Sequence, residues 1–187
     1  MQSIEIHMLS RVASHNMEDM ERIVSIVNHV YAVSEDGLWL DGAERTSVEE
    51  IAELARSGEL AVAQYMGKIV GCVRVHRLDE ETAGFGMLAV DEEYQGMGIG
   101  RDLIRFAEEK FQQEGFHKVQ LELLVPQEGT HPAKEFLRNW YMRLGYQPVQ
   151  TDSVADSIPE LAQMLALPCQ FIIFHKCLFT SAWHPYN

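Results

Sequence analysis

Apolar residues recur along this chain with two spacings, about every second residue in some stretches and about every 3.6 in others, and each change of spacing marks an element boundary. Ile4, Ile6 and Met8 alternate with Glu5 and His7, the pattern of a half-buried first strand. Met20, Ile23, Val24, Val27 and Tyr31 then share one helical face behind Asn16, a residue suited to cap it. Ser34-Glu35-Asp36-Gly37 reads as a turn, with Trp39 and Leu40 beyond it. Ser47 and Glu50 match a capping box that opens a second helix through Ile51, Leu54 and Ala55, stopping near Gly58. Leu60 to Met66 and Ile69 to Val75 are β-rich runs joined at Gly67-Lys68, the spacing of a hairpin, and Ala83 to Val90 is the next strand.

A further helix carries Leu103, Ile104, Ala107 and Phe111 on its face and ends near Gly115. Val119, Leu121 and Leu123 alternate with Gln120 and Glu122 in another strand, followed by a loop over Pro126 to Thr130. Pro132 suits the first turn of a helix whose face is Phe136, Leu137, Trp140, Tyr141 and Leu144, with Gly145 as its stop. Tyr146 to Val149 is a short strand, Thr151 to Pro168 a polar connection with a short helix after Ser157, and Phe171 to Leu178 the last strand. This order predicts an α/β fold with a single central sheet of mixed direction flanked by helices.

The 187 residues contain no linker-like stretch, so one domain over 1–187 is expected. With 47% hydrophobic and 23% charged residues the chain belongs to the soluble globular class. No apolar run approaches the ~18 residues of a membrane span, so no membrane partner is expected. The start, MQSIEIHMLS, lacks the pattern of a secretory signal, and Cys72, Cys169 and Cys177 form no CxxC pair. Reduced thiols and a cytoplasmic location follow. A net charge of −13 argues against nucleic acid and favours cationic partners.

Between the Ala83 to Val90 strand and the helix at Leu103 lies a glycine-rich loop. Gly96, Gly98 and Gly100 alternate with Met97 and Ile99, so the backbone can adopt positive φ and approach a ligand without Cβ atoms in the way. The helix begins at once, so the free N–H groups of its first turn face the loop and favour an anion, with Arg101 adding charge. A Walker loop needs Gly-Lys followed by Ser or Thr, whereas Gly100 is followed by Arg101 and Asp102. A dinucleotide fingerprint needs glycine where Arg101 stands.

Gln95-Gly96-Met97-Gly98-Ile99-Gly100 instead resembles the Gln/Arg-x-x-Gly-x-Gly/Ala signature of the GNAT superfamily of acetyl-CoA-dependent N-acyltransferases. Met87-Leu88-Ala89-Val90 resembles the strand that these enzymes use beside the cofactor, and the element order resembles theirs from Ile4 to about Leu178. The resemblance implies the GNAT fold, with two splayed central strands, here Phe85–Val90 and Lys118–Leu124, between which the pantetheine arm enters. It implies acetyl-CoA as cosubstrate, held by Met87, Leu88, Ala89 and Val90 and by Gln95, Gly96, Met97, Gly98, Ile99, Gly100 and Arg101.

Acyl transfer to an amine requires a deprotonated nitrogen, stabilisation of the oxyanion and a proton for the leaving thiolate. Trp140-Tyr141-x-x-x-Gly145-Tyr146 resembles the aromatic-Tyr-x-x-x-Gly-aromatic segment of GNAT enzymes, whose tyrosine commonly acts as general acid. Tyr141 fills that position; the plain alternative is a helix packing its aromatic face. Many members carry a Glu about where Gly84 or Phe85 stands, and this chain lacks it. Glu122, beside Gln120 on the polar face of its strand, is the first candidate base, with His76 and Glu81 near the hairpin's exit as others. For Glu122 the alternative is a paired or solvated carboxylate.

The resemblance also implies an oxyanion donor at a backbone N–H near Leu88. It puts the acceptor pocket near Asp36 and Trp39, where a carboxylate and an aromatic wall suit an ammonium group; a turn-forming Asp and a core-closing Trp are the alternative. The segment His131-Pro132-Ala133-Lys134 lacks the asparagine often found ahead of the family tyrosine. Eight histidines without HxxxH or HExxH spacing predict no metal site. The combined expectation is an N-acetyltransferase in which a primary amine, on a small molecule or a protein, attacks directly and Tyr141 protonates the thiolate. The alternative is a non-catalytic acyl-CoA-binding sensor or regulatory module with the same fold. Exposed edge strands are compatible with a homodimer.

Overall fold

In the computed structural model, which describes residues 3–178, the strand periodicities resolve into one sheet. Its strands are β1 (Glu5–Met8), β2 (Leu60–Tyr65), β3 (Lys68–Arg77), β4 (Thr82–Val90), β5 (Lys118–Pro126), β6 (Gln147–Ser153) and β7 (Cys169–Cys177). The spatial order is β1-β2-β3-β4-β5-β7-β6, antiparallel at every boundary except β4 with β5. Helices α1 (Met17–Ser34) and α2 (Val48–Ser57) cover one face, α3 (Ile99–Gln113) and α4 (Pro132–Arg143) the other, and short α5 (Val154–Ser157) and α6 (Pro159–Ala162) precede β7. Among the described residues no helix is long and apolar enough to cross a membrane.

Local chemistry sets most of the boundaries. The Asn16 side chain accepts from the Asp19 N–H at 3.4 Å and starts α1, and the Ser47 hydroxyl accepts from the Glu50 N–H at 3.2 Å and starts α2. Only half of the capping box forms, because the Glu50 carboxylate accepts from the buried Thr46 hydroxyl at 2.9 Å instead. Gly58, at φ 72°, closes α2 in the left-handed conformation. The hairpin turns at Met66-Gly67, both at positive φ, one residue earlier than Gly67-Lys68, and Lys68 already pairs with Tyr65.

Three further departures arise from tertiary contacts. Arg11–His15 forms a 3-10 turn that no apolar period announces. β6 runs past Val149 to Ser153, because it pairs with β7 through its backbone while most of its side chains face solvent. Phe136, expected on the packed face of α4, is 63% exposed.

The core lies in two layers. Phe85, Leu103, Phe111, Val119, Tyr146 and Phe174 pack between the sheet and α3 and α4. Met20, Ile23, Val27, Ile51, Leu60 and Val62 pack on the α1 and α2 side. Two irregularities at the centre shape the functional region. β4 pairs with β5 only at Thr82↔Lys118, Ala83↔Val119 and Gly84↔Gln120, after which the strands part. Beyond that point β5 stays paired with β7 to Pro126, and β4 with β3 to Val90, so the two halves of the sheet open as a wedge. Within β4, Cys72↔Ala89 and Arg74↔Gly86 set two β3 steps against three β4 steps, a bulge at Met87 and Leu88 with Met87 at φ 49°. Phe85 therefore faces α3 and α4, whereas Met87, two positions on, joins the opposite core layer.

Leu103 is fully buried between α3 and the sheet. Leu103→Ala should cost about 2–5 kcal/mol of unfolding free energy in urea denaturation, the usual range for a buried Leu truncated to a cavity.

Candidate active site

A cleft of about 1060 Å³ fills the wedge and continues across both faces of the sheet. Its first wall is the loop after β4. Asp91 accepts from the Glu93 N–H at 3.1 Å and starts a 3-10 turn, Glu92–Tyr94. Gly96 and Gly98 follow at φ 81° and 83°, a region that favours glycine, and Gly98 is the N-cap of α3. No side chain caps this helix end, so the first-turn N–H groups point toward the cleft unclaimed. Nothing stands within 4 Å of where a Gly96 Cβ would be, and the loop surface is open to a ligand. Backbone donors and the positive end of α3 make this wall an anion site.

Of the residues expected to hold the cofactor, Met87, Leu88, Val90, Gln95, Gly96, Gly98, Ile99, Gly100 and Arg101 line the cleft. Ala89 does not: it is 1% exposed in the core layer under α1 and α2, on the side to which the bulge turns it. Met97 projects outward from the loop at 52% exposure.

The second wall is α4. Lys134, Leu137 and Tyr141 follow one another at three- and four-residue spacing and share a face toward the cleft. Tyr141 is 8% exposed, wedged among Phe85, Trp140, Tyr146 and Phe174, with ring centroids 5.2–6.3 Å away. Among the described residues its hydroxyl has no hydrogen-bond partner. Burial pushes this phenol well above its ordinary pKa, and Tyr31, on α1 across the sheet, pushes it further. Tyr141 therefore keeps its proton throughout the neutral range.

The third wall joins α1 to α4. Glu35, the C-cap of α1, turns inward and is engaged at both oxygens: Lys134 Nζ donates to Oε1 at 2.5 Å and Trp39 Nε1 to Oε2 at 2.5 Å. The Glu35 and Lys134 side chains are each 4% exposed. Burial lowers the Lys134 pKa, while the Glu35 carboxylate acts in the opposite sense. Trp39 lines the cleft. Asp36 is exposed and outside it, its carbonyl accepting from His131 Nε2 at 3.0 Å. Sequence reasoning missed Glu35 and Lys134, although Lys134 lies two helical turns before Tyr141 and so on the same face.

The floor is the sheet face under α1. Because Val119, Leu121 and Leu123 face α3 and α4, Gln120 and Glu122 face the other way, and Arg74 and His76 do the same on β3. Between them, β4 offers only Gly84 and Gly86. Gln120 Nε2 donates to the exposed Glu122 carboxylate at 3.2 Å, and His175 Nε2 donates to Gln120 Oε1 at 2.9 Å. Arg74 is held by Glu59 at 2.8 Å. His76 has its pKa lowered by burial and by Arg74, against a smaller opposing effect of Glu59, and its Nδ1 is buried with no hydrogen-bond partner among the described residues.

A family model described as the acetyltransferase (GNAT) family matches residues 23–146, from the middle of α1 to Tyr146. The chain belongs to the GNAT acetyltransferase family. A protein from Chlorobaculum tepidum named as an uncharacterised N-acetyltransferase is 37% identical over 75 residues, 40% of this chain and 47% of that one, so the match spans about half the relative's length. The PaiA N-acetyltransferase of Thermoplasma acidophilum, solved with coenzyme A, superposes with TM-score 0.68 at 18% identity, covering 94% of this chain and 99% of that one. Ard1 of Thermoplasma volcanium superposes with TM-score 0.65 at 16% identity over 95% of this chain and 99% of that one. At these identities the likeness is one of fold, and the splayed sheet of this GNAT chain is that fold.

In this GNAT protein the Glu35–Lys134 pair ties α1 to the helix that carries Tyr141. Lys134→Met leaves a carboxylate buried without its cation and should destabilise the protein by about 3–5 kcal/mol. The Glu35→Leu/Lys134→Met double variant should recover most of that loss in the same denaturation experiment.

Proposed function

We propose that this protein is an acetyl-CoA-dependent N-acetyltransferase that moves an acetyl group directly to a primary amine, with Tyr141 as the general acid. The observation that carries the proposal is the continuity of the cleft from the uncapped N-terminus of α3, through the β4/β5 wedge, to the Tyr141 hydroxyl. The residues present fit the donor. Open glycine backbone and first-turn N–H groups, with Arg101 beside them, suit a pyrophosphate, and the wedge admits a narrow arm between β4 and β5.

Acetyl-CoA, when bound, supplies an activated acyl carbon and a thiolate leaving group. Backbone from Met87 to Val90 holds the arm through the edge of β4 that the splay frees from β5, and the N–H at Leu88 stabilises the oxyanion. Tyr141 gives its phenolic proton to the departing sulfur. The acceptor approaches from the α1 side, over the floor between Arg74 and Glu122, where Trp39 and the Glu122 carboxylate suit an amine of a small molecule or a protein. Free cysteines at 72, 169 and 177 accord with a reducing, cytoplasmic setting.

Acetyl-CoA should raise the melting temperature, as any ligand that prefers the folded state does. Release of free coenzyme A thiol should then appear with at least one member of a panel made of spermidine, L-lysine, glycine, kanamycin and short peptides with free N-termini. On that member Tyr141→Phe should lower kcat by about 100-fold, in the range of general acid catalysis. Its affinity for acetyl-CoA should stay close to that of the parent. Binding without turnover on any amine sinks the enzyme assignment in favour of a sensor, and an unchanged kcat in Tyr141→Phe removes the tyrosine from the chemistry.

A further inference from the structure

Among the described residues, six acidic or imidazole side chains other than His76 reach the cleft or bond to its floor, and each is occupied. Glu35 is held by Lys134 and Trp39, and Glu50 by Thr46. Glu92 and His29 hold each other at 3.0 Å, while Glu122 and His175 both bond Gln120. His76 stands apart. Its ring has no hydrogen-bond partner among the described residues, and its buried Nδ1 is one of the few orphaned polar atoms there.

The position of that ring follows from a missing side chain. His76 pairs with Gly84 across β3 and β4, and Gly84 pairs with Gln120 across the last rung before the wedge opens. A Cβ on Gly84 would stand 3.1 Å from His76 Cε1 and 3.1 Å from Nε2. The imidazole therefore lies over bare backbone at the point where the two strands part. We propose that His76 is the proton acceptor of the transfer, its Nε2 edge taking the proton from the attacking nitrogen over Gly84.

This assignment rests on the acetyltransferase function proposed above and supplies its missing base. The amine lone pair attacks the acyl carbon, the N–C bond forms, and the carbonyl π pair moves to oxygen. The nitrogen is then cationic, and its proton passes to His76. The carbonyl re-forms as the C–S pair leaves on sulfur, which takes the Tyr141 proton; His76 then loses a proton to solvent and Tyr141 regains one. Geometry favours His76 over Glu122: the Glu122 carboxylate accepts from Gln120 Nε2 at 3.2 Å, whereas the His76 ring has no hydrogen-bond partner among the described residues.

The charged groups around the ring fix the sign of the pH dependence. Burial and Arg74 hold the His76 pKa below the usual 6.5, and Glu59, paired to Arg74, acts weakly the other way. Across the floor, Glu122 on β5 lines the same cleft and His175 on β7 bonds Gln120 beside it. His76 is therefore neutral at pH 7, and kcat should rise with pH through a value below 6.5 and stay flat above it.

The test is the kcat–pH profile with saturating acetyl-CoA and the fastest amine of the panel, for the parent, His76→Gln and Gly84→Ala. In His76→Gln the acidic limb should vanish and the plateau fall by about 100-fold, with the acetyl-CoA melting shift retained. Gly84 is not at positive φ, so Gly84→Ala meets no backbone strain and acts by pressing on the ring and on Leu78 Cδ1, each 3.1 Å from the new Cβ. It should lower kcat by about 10-fold or more, as misplaced catalytic groups do. An acidic limb that survives in His76→Gln overturns the proposal, even if the plateau drops. A parent silent on every amine removes the acetyltransferase function itself, a result distinct from loss of His76 alone.

Discussion

Parallel strands that stay paired bury their backbone donors and acceptors against each other and leave no room for a third body between them. In this protein β4 and β5 keep three rungs and then separate, so two inner edges of the sheet face a gap rather than a neighbour. Leaving such groups dry and unpaired costs about 1–3 kcal/mol each, so the gap is tenable only where water or a ligand reaches it. The rest of the sheet is arranged to support that opening. β5 is held along its whole length by β7, which is inserted between β5 and β6, and β4 is held by β3 up to Val90. Each half is thus braced from outside, and the wedge between them is a property of the topology.

The bulge at Met87 adjusts this frame to the cleft. Gly84 and Gly86, in register with His76 and Arg74, present bare backbone to the floor, and the extra residue beyond them reverses the alternation so that Met87 fills the layer beneath α1. A non-glycine residue at φ 49° stores some strain, and burial of the Met87 side chain at 5% exposure helps to offset it. Tyr141 depends on a different brace. It reaches the gap from the α3 and α4 side, and the Lys134–Glu35 pair on the same face of α4 ties that helix to the end of α1. A buried ion pair contributes little net stability once desolvation is counted, so its value here is positional.

What could be foreseen from the residues follows the range of the forces involved. Asn16, Ser47, Gly58, Gly115 and Gly145 mark element ends because capping is chemistry among near neighbours in sequence. The loop over Gly96 and Gly98 and the Tyr141 helix were legible for the same reason. Glu35 was not. Three polar residues and a glycine in a turn give no sign of which carboxylate faces inward, and the choice of Glu35 over Asp36 is made by Lys134, 99 residues later. β6 was seen as too short because Gln150, Thr151 and Asp152 carry no apolar period, and their pairing with β7 is a backbone matter. Phe136 shows the converse: periodicity marks a face, and only the neighbouring elements determine how much of it is covered.

The bare stretch of β4 also bears on how two substrates can meet. A strand with side chains at both positions 84 and 86 would raise a ridge along the middle of the floor, whereas two glycines leave a trough, open above Gly86 and overhung at Gly84 by His76 and Leu78, with Arg74 on the same side and Gln120 and Glu122 on the other. The open α3 N-terminus, where the donor's phosphates are proposed to sit, and Tyr141 lie on the opposite side of the sheet from that trough. In the proposed transfer the amine comes along the trough and the acyl group through the wedge, and they share only the few ångströms where β4 and β5 part. A transfer confined to that aperture, as proposed, needs both partners present at once, which is the requirement of direct attack in a ternary complex. With Tyr141 as the proposed acid and His76 as the proposed base, the two stand on opposite faces, so in that scheme the proton leaving the nitrogen and the proton entering the sulfur never compete for the same group.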